Sequence, residues 1–294
     1  MNPKEKGFLL LTSHLGNPGR KPLTQAQLKQ LAARIRLMEK PEEERELECR
    51  DLISLGYGRE MAERILALLA EEDVLEYYLS GASGCMPIPR CSENYPALLR
   101  YRLGDEAPGC LWARGDISIL KEPAVSLVGS RDLREENKDF AAAVGTMAAE
   151  NGLVLVSGNA RGADRTAQEA CLAAGGKVIS IVADDLSAHS ERKGVLYLSE
   201  DGYGELFSTQ RALSRNRFIH ALGQITFVAQ AALGKGGTWD GTVKNLRHGW
   251  STVACFRDGS PASLELEQMG AYLIGLEELQ DFDWIPMQEP GFFT

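Results

Sequence analysis

Ala124-Val125-Ser126-Leu127-Val128-Gly129-Ser130-Arg131 is the stretch on which the fold turns. Five small or apolar residues, β-branched at Val125 and Val128, run to an abrupt stop at a glycine. A strand buried on both faces reads this way, because neither face needs polar residues for water. Downstream, similar short runs recur at 153–156, 178–182, 195–198, 225–228 and 252–256. Helical stretches separate most of them, around 140–147, 166–173 and 211–222. Continuous apolar strands with crossover helices predict a mostly parallel sheet covered on both faces. The expected class is therefore α/β, Rossmann-like, over residues 121–276.

Upstream the period changes. Residues 1–80 read as a small helical N-terminal domain. Thr24 caps a run with apolar residues at Leu28, Leu31, Ala32, Ile35 and Leu37. The acidic run from Glu42 to Glu46 is expected to open a further helix with a solvated face. Gly56 and Gly58 mark a corner before a helix through Ala62, Ile65, Leu66 and Leu69. Residues 81–120, rich in proline and glycine, are expected to be an extended connector packed on the core, and 277–294 a C-terminal tail.

Of 294 residues, 44% are hydrophobic and 25% charged, which suits a globular chain with a sizeable core. The segment from Gly7 to Thr12 is too short for a membrane span or a secretory signal, so the expected location is cytoplasmic, with no membrane partner. Six cysteines lack close pairing and four histidines do not supply it, so no metal site is expected. Cys171 and Cys255 read as reduced core thiols. The formal net charge of −9 argues against a broad basic face, so any anion site must be a local cluster.

In open α/β sheets ligands sit beyond the carboxyl ends of the strands, so those loops come next. The first strand is followed by Gly129, Ser130 and Arg131. The second leads into Ser157, Gly158, Asn159, Ala160, Arg161, Gly162, Ala163 and Asp164. The strand at 225–228 precedes Lys235, Gly236, Gly237, Thr238 and Trp239, and Arg215-Asn216-Arg217 lies in the helical run before it. Backbone N–H groups at helix starts attract anions, and a guanidinium adds bidentate phosphate recognition. Gly-x-Gly-x-x-Gly after the first strand and a Walker A loop are both absent, so neither an ordinary dinucleotide enzyme nor a P-loop NTPase is expected.

Val128-Gly129-Ser130-Arg131, the loop from Ser157 to Asp164, and Arg215-Asn216-Arg217-Phe218-Ile219 resemble the signature motifs of the DNA-processing protein A (DprA/Smf) family. Tyr95-Pro96-Ala97-Leu98-Leu99 and Arg114-Gly115 are similar to that family's lead-in to its Rossmann domain. The resemblance implies a cytoplasmic bacterial protein that binds single-stranded DNA, partners a RecA-like recombinase, acts in DNA recombination and uptake, and forms a homodimer through the Rossmann domain. It places the DNA phosphates on Arg131, Arg161, Arg215, Arg217 and Lys235. It implies no cofactor. The chain departs from the pattern at Ala167-Gln168, at Val228-Ala229-Gln230-Ala231 and from Lys235 to Gly241, which makes it a divergent member.

Arg215 and Arg217, two apart on a helix, diverge, so one faces the pocket and the other braces a loop or carboxylate. Asp164 reads as a helix-start partner or a brace for an arginine, and not as a catalytic acid. Trp239 is available for base stacking or for packing, while Phe207 and Phe218 read as core. No nucleophile–base pair is evident, and His220 reads as a helix residue, so no catalytic residues are assigned and a binding protein is expected. The alternative is a small-nucleotide sensor or hydrolase of the wider Rossmann-like superfamily, including an anti-phage role. Gly236-Gly237-Thr238 carries that alternative through a faint likeness to a phosphate loop of that superfamily.

Overall fold

The computed structural model describes residues 1–38 and 46–280. The chain splits into two compact units, one of residues 1–83 with 89–93, the other of residues 84–88 with those from 94 onward.

The first unit holds α1 (Pro3–Thr12), α2 (Gln25–Ile35), α3 (Cys49–Ser54), α4 (Arg59–Leu69) and α5 (Glu72–Ser80). Asn2 and Thr24 open α1 and α2 with reciprocal capping boxes to Glu5 and Gln27, which satisfy amides the helices leave unpaired. Leu11, Leu23, Leu31, Leu52, Ala62, Ile65 and Leu68 form its core. Arg20, buried, donates to the carbonyls of Leu10 and Ser13 and pairs with Glu71 at 2.6 Å. The acidic run read as a helix lies, up to Arg45, outside the described residues.

The second unit is built on one nine-stranded sheet. Its elements in chain order are β1 (Met86–Pro89), α6 (Ala97–Leu103), β2 (Cys110–Arg114), β3 (Ala124–Val128), α7 (Glu135–Glu150), β4 (Val154–Ser157), α8 (Ala163–Ala173), β5 (Lys177–Ile181), β6 (Val195–Ser199), α9 (Thr209–Ser214), α10 (Asn216–Leu222), β7 (Ile225–Val228), α11 (Gly237–His248), β8 (Thr252–Phe256), α12 (Pro261–Gln268) and β9 (Tyr272–Ile274). The spatial order is β1-β2-β6-β5-β4-β3-β7-β8-β9. Strands β3 to β9 pair in parallel, whereas β2 runs antiparallel to β6. The mostly parallel, Rossmann-like sheet is thus as the strand pattern predicts. The segment read as a connector instead supplies α6 and two strands of the sheet, because Leu111 and Ala113 of β2 are buried in the core.

From β3 the chain winds outward through β4, β5 and β6, then returns to the other flank of β3 for β7, β8 and β9. Right-handed crossovers in opposite directions place their helices on opposite faces. Phe140, Val144, Ala167 and Cys171 of α7 and α8 cover Val125, Leu127 and Leu155 on one face. Phe218, Ile219, Val243 and Leu266 of α10, α11 and α12 cover Val128, Val154 and Val156 on the other. The reversal of strand order between β3 and β7 leaves a crevice at their carboxyl ends, the place where such sheets hold ligands. Among the described residues no helix is long and apolar enough to cross a membrane, and none of the six cysteines is in a disulfide.

Candidate functional site

A cleft of about 420 Å³ fills that crevice. Three strand-end loops and one helix junction build it. Gly129, Ser130 and Arg131 come from β3, Ala160 and Asp164 from the loop after β4, Lys235 to Thr238 from the loop after β7, and Arg215, Asn216 and Ile219 from the α9–α10 junction.

The loops are tied to one another before they meet any ligand. The Ser130 amide donates to the Gln230 carbonyl at 3.0 Å, and the Ala163 amide donates to the Ser130 carbonyl at 3.1 Å. The Thr238 hydroxyl donates to the Gly129 carbonyl at 3.0 Å. Gln230 accepts from the Arg134 amide at 2.9 Å and donates to the Asp132 carbonyl at 3.1 Å. The amides of Ser130 and Ala163 are therefore spent on scaffolding and not offered to an anion. The first-turn amides of α11 keep no partner within that helix and stand at the cleft's Gly-rich wall.

Arg215 is the buried cation of the site, 8% exposed, with one guanidinium nitrogen 3.7 Å from Asp164. It donates to Asn216 at 3.1 Å, and Asn216 donates in turn to the Gly237 carbonyl at 3.2 Å. Its Nε has no hydrogen-bond partner. The guanidinium lies against the backbone of Gly158, and a Cβ there would overlap it. Only glycine admits this approach. Gly162 serves differently: its φ of +83° turns the chain into α8 beneath the carbonyls of Ser130 and Arg131. Burial lowers the Arg215 pKa, Asp164 opposes that shift, and the Arg131 cation adds to it. Burial likewise raises the Asp164 carboxyl, against the pull of Arg215 and of the Ala160 amide, which it accepts at 3.2 Å. Asp164 is thus the brace for an arginine that its position suggested.

Arg131 and Lys235 are exposed at the cleft, and among the described residues neither forms an ion pair. Arg161 lies outside the main cleft, exposed and paired with exposed Asp132 at 2.9 Å, a contact of little energy. Arg217 points away. It pairs with Glu200 at 2.9 Å, donates to the Ser214 hydroxyl at 2.6 Å and lies over the Phe218 ring. The expectation that Arg217 faces the cleft is corrected: Arg215 lines it and Arg217 does not, because helix geometry sends the two side chains apart. Ser157 is fully buried, bonded to Gln168, and belongs to the scaffold. Trp239 packs against the core.

Phe218 is core, but Phe207 is 56% exposed in the loop before α9, so its reading as core is overturned. That loop is held from outside the core, by Arg211 donating to the carbonyls of Ala183, Glu205 and Leu206 and pairing with Asp201 at 2.7 Å. Gln230 and Asn216 are cleft residues that reading the charges alone passes over; their signal is position, directly after β7 and beside Arg215. His220 is fully buried in α10 with neither ring nitrogen bonded, and burial pushes its pKa down to about 3. Among the described residues no group of His, Cys, Asp and Glu could hold a metal ion.

A family model described as DNA recombination-mediator protein A matches residues 87–255. The DNA processing protein DprA of Streptococcus pneumoniae is 31% identical over 194 residues, covering 61% of this chain and 68% of that protein. An X-ray structure of DprA from the same species superposes with a TM-score of 0.66 at 26% identity, covering 95% of both chains. DNA processing protein A from Helicobacter pylori, whose structure describes a single-stranded DNA binding mode, gives a TM-score of 0.57 at 25% identity, covering 67% of this chain and 93% of that one.

Proposed function

The chain belongs to the DNA recombination-mediator protein A family, and from that premise we propose that it binds single-stranded DNA across the strand-end cleft and presents it to a RecA-like recombinase. Arg131 and Lys235 carry the reading: two exposed cations that form no ion pair among the described residues flank a cleft in a chain of net charge −9. Each takes a backbone phosphate, and Arg215, held against Gly158, faces a third. The α11 amides add fixed dipoles of the right sign. Asp164 offsets part of the Arg215 charge, so the cleft stays folded without its ligand. In this reading the site binds and positions a strand and carries out no bond chemistry; His220, neutral and buried beneath it, has no reach to a ligand. The protein acts as a homodimer through this domain.

A fluorescence-anisotropy titration with labelled oligo-dT tests the reading. Binding at low salt that weakens as salt rises is the expected result, with Arg131→Ala lowering affinity by about tenfold or more, in line with a charge-assisted phosphate contact. No binding at low salt, with thermal stabilisation by a mononucleotide instead, would overturn it. Sedimentation at the mass of a single chain would remove the dimer, and an unchanged rate of recombinase filament assembly on coated DNA would remove the recombinase.

A further inference from the structure

The helical unit has a pocket of its own. It measures about 210 Å³ and is walled by α2, by the turn from α3 into α4, and by α4 itself. Leu23, Met61 and Ile65 give it an apolar side that continues the core of that unit. The rest of its chemistry is that of hydrogen-bond donors. Arg34 lies over the Tyr57 ring, 4.4 Å from the ring centre. Stacking of this kind uses the flat face of the guanidinium and leaves the N–H groups on its edge for another partner. Among the described residues no carboxylate pairs with Arg34. Gln27 accepts the Thr24 amide on Oε1 at 3.0 Å, which leaves Nε2 as a donor. Gly58 opens α4 without a side-chain cap, so the first-turn amides keep no partner within that helix. Among the described residues that line the pocket, none is acidic.

Donors without an acceptor fit an anion, and the apolar side fits a hydrocarbon group held close to that anion. Volume then limits the size. Sites for whole small molecules span ~300–1,000 Å³, so this pocket suits the end of something larger. A nucleic-acid phosphate supplies the charge but brings sugar and further charge to Leu23 and Ile65. An aspartate inside a peptide fails for a geometric reason, because successive side chains of an extended chain point to opposite faces. A chain terminus meets both demands, since its carboxylate and its last side chain spring from one Cα. The planar carboxylate also matches the fork of a guanidinium, and backbone amides at a turn are a recurrent cradle for it.

We propose that this pocket captures the C-terminal residue of a partner protein that ends in a large apolar side chain. The carboxylate accepts from Arg34 and from the first-turn amides of α4, and the side chain lies on Leu23, Met61 and Ile65. Tyr57 is a positioning residue, its ring holding the guanidinium flat. The site belongs to the helical unit alone and stands independently of the DNA reading of the strand-end cleft.

Fluorescence polarisation of the intact chain tests it, with the labelled peptide Gly-Ser-Gly-Ser-Gly-Phe carrying a free carboxylate. That peptide is expected to bind about tenfold tighter than its C-terminal amide, which lacks the charge, and than the same peptide ending in serine, which lacks the apolar group. Arg34→Gln is expected to lower its affinity by about tenfold, as loss of a charge-assisted contact does. Tyr57→Phe is expected to leave the affinity unchanged and Tyr57→Ala to lower it several-fold, because the ring and not the hydroxyl supports the guanidinium. An unchanged melting temperature verifies that each variant folds. Equal binding of the acid and the amide, unaltered binding by Arg34→Gln, or no binding of the acid at millimolar concentration overturns the site. If Arg34→Gln instead lowers the affinity for oligo-dT, the pocket belongs to a nucleic-acid phosphate and the proposal falls.

Discussion

At the residue scale, the site turns on one buried ion pair and one buried imidazole. Arg215 lies in a space too dry for a lone cation, and Asp164 is the carboxylate beside it. Asp164→Asn keeps an acceptor for the Ala160 amide but strands the guanidinium. Breaking a buried pair on one side costs ~3–5 kcal/mol, and a loss of that size in the unfolding free energy from urea titration is the expected outcome. His220 makes a pH prediction with a definite sign. Its folded pKa is pushed to about 3, below the unfolded value of 6.5, so the unfolded chain takes up the proton first. The stability it confers is complete above about pH 6.5 and is lost as pH falls toward 3, at roughly 1.4 kcal/mol per pH unit. Denaturation curves from pH 7 to pH 4 should therefore fall more steeply for the unmodified chain than for His220→Met, which has no proton to gain. Parallel curves would show that the ring is not held neutral.

At the element scale, the end of the loop before α9, at Glu205 to Phe207, is held by Arg211. Arg211 satisfies three carbonyls and one carboxylate next to Leu206 and Phe207, which are both exposed, while Tyr203 earlier in the loop packs edge-on against Trp112. Arg211→Ala should leave the sheet intact and loosen this segment alone. Chymotrypsin is expected to cut at Leu206 or Phe207 several-fold faster in the variant, because local opening governs cleavage of a folded chain. An unchanged cleavage rate would mean that the carbonyl contacts do not hold the loop. The strand elements were legible in the chain as written. Six apolar runs are strands, since a strand buried on both faces cannot disguise its composition. β1, β2 and β9 were not legible. They lie at or near the sheet's margins, where Met86, Cys110 and Tyr272 meet other surroundings and the apolar run breaks up.

At the scale of the whole molecule, the net charge of −9 repels DNA at long range. Affinity must then come from a countable set of contacts. With Arg131, Arg215 and Lys235 as the phosphate-facing cations, log K against log salt should fall with a slope of about −2, at roughly −0.7 per phosphate on a single strand. Arg131→Ala should make that slope shallower by about 0.7. A slope of −5 or steeper in the unmodified chain would mean that a wider basic surface takes part.

The sequence by itself determined the class of fold, the strand ends that border the cleft, and the residues whose loops converge there. Burial writes periodicity into the chain, and the sharp turn into α8 demands glycine at Gly162, whose φ is +83°. What the tertiary structure alone decided is direction. It turned Arg215 inward and Arg217 toward Glu200, spent the Ser130 and Ala163 amides on scaffolding, and left Phe207 in the open beside Asp184. A side chain's heading depends on which helix face meets which neighbour. That relation belongs to residues as far apart as Gly158 and Arg215, and no local pattern in the chain records it.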